Sequence, residues 1–204
     1  MEKEKKPGRP RSESTRKAIL AAACGLLEEQ GFKAVTVDGI SERAGVSKAT
    51  IYKWWPNKAA VVIEAFFEAS EAKLAVPDTG SVRQDLILQV RHLAGFLTSG
   101  EGKTIKEFIA EGQFDPKIAE EYRSRYFNPR RLISKGILEK GVARGELRRD
   151  LDAELAIDLL FAPLFYRLLI TGEPVDDRFI EMWIGYALTG LSAGTEIEAL
   201  QLEP

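Results

Sequence analysis

Lys48, Ala49, Thr50, Tyr52 and Lys53 lie within six consecutive positions. The chemistry open to such a set is recognition of a polyanion with readable edges. On a helix, positions four apart stand on one strip, so Lys48 aligns with Tyr52, and Ala49 aligns with Lys53 beside them. Tyr52 and Lys53 can reach phosphates or base edges, and the Thr50 hydroxyl can serve either. Ala49 is small enough to let the helix approach base edges, where its methyl would meet a thymine methyl. Ile51 and Trp55 are also four apart and apolar, which makes them anchors to a core.

The flanking residues supply the frame for that face. Thr36 offers a hydroxyl to the free amides of a helix over 37–44, whose Ile40 and Ala44 face inward. Gly45 stops it, Val46 inserts between the pair, and Ser47 caps the helix that carries the exposed set. Pro56 ends that helix, Asn57 caps the next, and Lys58 sits at its beginning. Residues 36–55 thus read as a helix-turn-helix, a device for placing a few side chains in the major groove of DNA. Upstream, Ser12 to Gln30 is an amphipathic helix with Ile19, Leu20, Ala23, Leu26 and Leu27 on one stripe. Ser12 or Ser14 caps its start and Gly31 ends it, with Phe32 and Val35 plugging the core. Residues 1–12 are a basic arm expected to be disordered, and its Gly8-Arg9-Pro10-Arg11 resembles an AT-hook core. Arg9 and Arg11 are therefore candidates for minor-groove or phosphate contact; a merely solubilising tail is the alternative.

The run from Thr36 to Lys58, preceded by Glu28–Phe32 (EEQGF), resembles the tetracycline-repressor (TetR) family of bacterial one-component regulators. The matching features are Thr36, Ile40, Ala44-Gly45-Val46-Ser47, Thr50-Ile51-Tyr52 and Pro56-x-Lys58, in register over about residues 13–73. The resemblance implies that Thr36 contacts phosphate and that Lys48, Ala49, Thr50 and Tyr52 face the DNA, on a helix capped by Ser47. It places Lys53 and Trp54 at the groove edge and Lys58 on the DNA backbone. Trp54 and Asp38 depart from the family pattern. The tryptophan is read either as packing on a sugar-phosphate edge or as core, and Asp38 as interacting with its own helix's amides.

Downstream, a helix from Asn57 to about Ala75 leaves the DNA-binding head, and Val76-Pro77-Asp78-Thr79-Gly80 closes it. The expected architecture is all-α with about nine helices. The head is a three-helix unit over 13–75, followed by a helical effector-binding and dimerisation body over 76–204. Helices are expected over 81–99 and 104–113, then from Asp115-Pro116 to about Arg144 with a kink or break at Asn128-Pro129. The last two, 153–171 and 176–193, are apolar nearly all round and need cover on every side. The resemblance implies that they pair with their copies in a four-helix bundle, for which Leu160, Leu164, Leu168, Ile184, Leu188 and Leu191 are the expected contacts. Such a homodimer would meet a palindromic double-stranded operator. The resemblance also implies a small-molecule effector cavity in the body. Its expected walls are Phe96, Phe108, Phe114, Tyr122, Tyr126 and Phe127, with Phe165, Tyr166 and Trp183; ordinary core packing is the alternative for each.

The totals narrow the remaining classes. Of 29 Lys/Arg and 31 Asp/Glu, residues 1–58 hold 12 and 7, and the rest hold 17 and 24, so a head of +5 precedes a body of −7. That asymmetry suits a phosphate-binding module joined to one that does not bind. A single cysteine, Cys24, excludes an internal disulfide and fits a reducing compartment. The N-terminal stretch lacks an apolar signal region, and Leu155–Ile170 is interrupted by Asp158, Pro163 and Arg167, so neither a secretory signal nor a membrane span is expected. The protein is placed in the cytoplasm. No nucleophile–base arrangement, metal cluster or phosphate loop supports an enzyme, and no cofactor is expected. His92, the single histidine, lacks the partners a metal site needs. A monomeric adaptor whose body binds another protein is the remaining alternative.

Overall fold

The structure is a computed structural model that describes residues 12–70 and 76–192. The basic arm with Arg9 and Arg11 lies outside the described residues, as do residues 71–75 at the expected domain boundary. Nine helices are present among the described residues. The head holds α1 (Glu13–Ala34), α2 (Val37–Ala44), α3 (Lys48–Tyr52) and α4 (Lys58–Ser70). The body adds α5 (Val82–Thr98) and α6 (Gly102–Gly112), then α7, in which Pro116–Tyr122, Arg123–Phe127 and Asn128–Ala143 run on without a gap. It closes with α8, made of Ala153–Tyr166 and Arg167–Thr171, and α9 (Asp177–Leu191). The expected all-α fold is the fold found.

Local chemistry sets most of the boundaries. Thr36 Oγ1 accepts from the Gly39 amide at 3.1 Å and Ser47 Oγ from the Thr50 amide at 3.2 Å, each satisfying an orphan donor at a helix start. Asn57 Oδ1 caps α4 through Ala60 N at 2.9 Å, and Asp115, Asp152 and Asp176 cap α7, α8 and α9. Gly45 closes α2 in the left-handed region, φ 63° and ψ 34°, a conformation that costs other residues about 1–2 kcal/mol. At the start of α1 the expectation of a serine cap is not met: the Ser12 and Ser14 hydroxyls bond each other at 2.6 Å and neither takes an amide. α3 is also shorter than expected, one helical stretch to Tyr52 continued by a turn in which Trp54 N and Trp55 N both bond Ile51 O.

α4 occupies the centre. Ala59, Ala60, Val61, Val62 and Ile63 are consecutive and buried, as are Ala65 and Phe66, so the first turns of the helix are covered around their whole circumference, and only Glu68 and Ala69 near its end are exposed. α1 packs on its head side. On its body side Phe66 meets Phe108 of α6 edge-on at 5.7 Å, and Phe67 stacks face to face on Tyr126 of α7 at 3.5 Å. Burying side chains of this kind contributes about 1.5–3 kcal/mol each.

The expected kink at Asn128-Pro129 takes the form of a π-helical turn. Pro129 has no N–H for the carbonyl of Arg125, and the chain widens so that Asn128 N bonds Arg123 O, five residues back. The turn presents Arg125 and Tyr126 toward α4.

The last two helices require a correction. Leu160, Leu164 and Ile184 are fully buried in the protomer's own core, Leu188 and Leu191 nearly so, and Leu168 is partly buried against it. The exposed apolar stripe is a different one: Leu155, Leu159, Tyr166, Leu169 and Ile170 on α8, with Met182 and Tyr186 on α9. On a helix apolar on every side, periodicity does not say which face the core takes and which is left exposed.

The body is closed at its far end where α7 meets the start of α5. A side chain at Gly141 would begin 2.9 Å from Val82 Cγ2 and 3.0 Å from Leu147 Cδ1. Gly141→Leu should therefore overpack this junction and destabilise by about 3 kcal/mol, read as a lowered urea midpoint with unchanged slope. An unchanged midpoint would show that α5 and α7 can separate there without loss.

Candidate nucleic-acid interface

The expected division of α3 between a buried side and an exposed side is present in the geometry. Ile51 is fully buried and Trp55 is 1% exposed, whereas Lys48, Ala49 and Lys53 are exposed and Tyr52 is 52% exposed. Thr36 and Ser47 are exposed beside them, and Thr50 is half-buried with its hydroxyl 2.9 Å from that of Ser47. Thr36, Ser47, Lys48, Ala49, Tyr52 and Lys53 therefore form one open surface with no apolar contact to bury it. Trp54 is half-buried, tilted against Trp55 at a ring distance of 6.0 Å and packed on the core, which agrees with the core alternative for this residue.

Two charged residues have partners that spacing did not suggest. Asp38 does not bind its helix amides, since Thr36 takes that place; its carboxylate pairs with Lys48 Nζ at 2.8 Å across the turn. The hydrogen bond from Lys48 to Asp38 holds the lysine pKa above its usual value. Both side chains are exposed, so the pair is weak and open to exchange for a phosphate. Lys58 is half-buried, and its ammonium donates to Phe32 O at 2.9 Å while lying 4.5 Å from the centre of the Phe32 ring. Burial pushes its pKa down, opposed by Glu111. Here Lys58 ties the start of α4 to the end of α1, a role other than the backbone contact that the resemblance implies.

Trp55 is steadied from behind by Glu64 of α4, which accepts from its indole Nε1–H at 2.9 Å. The same carboxylate accepts from Arg16 of α1 at 2.6 Å and from Arg125 of the π turn. Neither Glu64 nor Arg125 stands out in the sequence, because they are 61 positions apart and each fits an ordinary solvated helix face.

The body contains a cavity of about 390 Å³, within the range of about 300–1,000 Å³ common to small-molecule sites. Five aromatic rings line it, Tyr122, Tyr126 and Phe127 from α7 and Phe161 and Phe165 from α8, among aliphatic side chains such as Leu93 and Ile157. Gln89, His92, Arg130, Arg131, Ser134 and Asp158 add polar groups. Gln89 Nε2 donates to Ser134 Oγ at 3.0 Å, while Gln89 Oε1 and the Tyr122 hydroxyl are buried without a hydrogen-bond partner. Burial raises the Tyr122 pKa and keeps the phenol neutral. Of the expected wall residues, Tyr122, Tyr126, Phe127 and Phe165 come together here. Phe108 and Trp183 are core instead, Tyr166 is exposed, and Phe114 is 90% exposed beyond the end of α6. Phe96 lines a separate open cleft of about 1180 Å³ between α1, α4, α5 and α6, along with Cys24, His92 and Glu107. The Cys24 thiol is partly buried, and burial followed by the neighbouring Glu28 raises its pKa, so it is a poor nucleophile. Among the described residues no group of three or more metal-ligating side chains occurs and no helix is long and apolar enough to cross a membrane.

Both halves of the chain match known families. Residues 19–65 match the family described as bacterial regulatory proteins, tetR family, and residues 76–187 match the tetracyclin repressor-like C-terminal domain. HTH-type transcriptional regulator YdeS of Bacillus subtilis is 56% identical over 195 residues, covering 96% of this chain and 98% of that one. The DNA-binding transcriptional repressor TetR of Mycobacteroides abscessus is 32% identical, covering 83% and 90%. The crystal structure of the TetR family transcription regulator SCO0332 superimposes with a TM-score of 0.77 at 37% identity, covering 88% and 99%.

Lys58 provides the test of this geometry. Lys58→Ala should lower the Tm, because the α1–α4 tie is lost, and leave the salt dependence of DNA binding unchanged. A Tm held constant while the salt slope falls by about 1 would return Lys58 to phosphate contact.

Proposed function

The chain belongs to the tetracycline-repressor (TetR) family of transcriptional regulators, and from that premise we propose that it is a homodimeric repressor released from a palindromic operator by a small apolar effector. It is a regulator with a DNA-binding helix-turn-helix and not an enzyme. The observation that carries the reading is the open surface of Thr36, Ser47, Lys48, Ala49, Tyr52 and Lys53 on a helix whose other side is sealed by Ile51 and Trp55. Lys48 and Lys53 would release counterions from phosphates, while Ala49 and Tyr52 meet base edges. On binding, a phosphate replaces Asp38 as the partner of Lys48. Thr50, paired with Ser47, contributes through the helix start, and Trp54 supports the exposed face from its place against Trp55 and the core.

Dimerisation is supported by the exposed stripe of Leu155, Leu159, Tyr166, Ile170, Met182 and Tyr186, larger than isolated surface apolars require. Two copies packed on it would form a bundle about a two-fold axis and present two α3 helices to one face of the DNA. Effector binding is supported by the aromatic cavity, whose two unpartnered polar atoms suit a ligand with an apolar body and at least one hydrogen-bonding group. The repressor reading draws on the Mycobacteroides relative, a DNA-binding transcriptional repressor by name. Operator DNA is in the cytoplasm, where such a protein works.

The test begins with a footprint of genomic DNA bound by the full chain, which defines the operator. Lys48→Ala and Tyr52→Ala should each weaken binding to it by about 5- to 150-fold with Tm unchanged. Unaltered affinity in both would remove α3 from the interface. In sedimentation the protein should be a dimer and Leu159→Glu a folded monomer; a Leu159→Glu dimer would place the interface elsewhere.

A further inference from the structure

Three contacts to one carboxylate of α4 join both neighbouring head helices to the π turn of α7. Glu64 receives the Trp55 indole from the recognition helix, the Arg16 guanidinium from α1 and the Arg125 guanidinium from the body. Arg125 is itself held at 2.8 Å by Glu121, and Glu121 accepts from Asn57 Nδ2 at 2.9 Å. Asn57 is the residue that caps α4. Arg125 therefore reaches the head by two routes, one to the anchor of α3 and one to the first turn of α4. These groups are only 13–26% exposed, where charge-assisted hydrogen bonds are stronger than at an open surface.

The residues that follow Arg125 are cavity wall. Tyr126 and Phe127 line the cavity, and Tyr126 stacks on Phe67 of α4. A π turn lacks the regular i→i−4 bonds, and such turns often mark functional sites. Any ligand that shifts Tyr126 moves a backbone whose preceding residue holds Glu64.

We propose that Glu64 is the positioning residue of the recognition helix and that Arg125 makes that position answer to occupancy of the cavity. This rests on reading the cavity as the effector site. The bond from Trp55 to Glu64 sets where α3 sits on the head, and Arg125 ties Glu64 to the cavity wall. An apolar ligand against Tyr126 would displace Arg125 and, through it, draw Glu64 with the Trp55 indole to a new position, so that α3 reorients. A ligand can shift the head only by its differential affinity for the two arrangements.

Arg125→Gln separates these roles, because Glu64 keeps Arg16 and Trp55 in that variant. The probe is 1-anilinonaphthalene-8-sulfonate, a compact aromatic anion, added to the full-length dimer carrying ¹⁵N-labelled tryptophan. Binding in the cavity is identified by loss of probe fluorescence in Leu93→Phe, which narrows it. The expected result is equal probe binding in wild type and Arg125→Gln. The probe should shift the Trp55 indole resonance and weaken operator binding, by about 5- to 150-fold, in wild type only, with part of the response restored in Arg125→Lys. Equal responses in wild type and Arg125→Gln, or no Trp55 shift in wild type despite binding, would overturn the proposal and leave the cavity reading intact. Probe fluorescence unaffected by Leu93→Phe would overturn the cavity reading and this inference with it.

Discussion

A helix whose first turns are buried around their whole circumference cannot move by itself, and α4 is such a helix. Ala59 to Ile63 leave no side of it open, and interiors packed to crystal-like density resist gradual deformation. The head packs on one flank and α6 and α7 on the other. The placement of α3 is therefore a property of the whole molecule. Phe66 against Phe108, and Phe67 against Tyr126, make the body part of the head's foundation.

Polar contacts give this apolar junction its register. Phe32 N donates to Glu107 of α6 at 3.1 Å, Lys58 holds the Phe32 carbonyl, and Glu64 gathers Arg16, Trp55 and Arg125. Apolar packing alone tolerates sliding, whereas partly buried hydrogen bonds with charged partners have fixed directions. The combination allows a small number of discrete arrangements in place of a continuum, which is the condition for a two-state switch.

Much of the fold was legible because helix ends carry local chemistry. Thr36, Gly45, Ser47, Asn57, Asp115 and Asp176 each act within a few residues of themselves, and each does in space what its neighbours in sequence suggest. The exposed and anchored sides of α3 follow from a four-residue spacing. What escaped was decided between distant segments. Lys48 finds Asp38 across a turn, Lys58 turns back onto Phe32, and Glu64 meets Arg125 from 61 positions away. The C-terminal helices show the same limit: Leu160 and Leu159 are equally apolar neighbours, yet one is in the core and the other is half exposed. Phe114 looked like a wall residue by type, but it follows the end of α6 and faces solvent.

The brevity of α3 has an evolutionary consequence. Ile51 and Trp55, with the half-buried Trp54, bind this segment to the core, and Lys48, Ala49, Tyr52 and Lys53 face outward. Substitutions at 48, 49, 52 and 53 can accumulate with little loss of stability, so on the proposed reading operator preference can drift quickly while the scaffold stays fixed. Paralogues arising from such a gene would then diverge first in the promoters they recognise, with their folding machinery unchanged, and a new regulatory circuit would need few mutational steps.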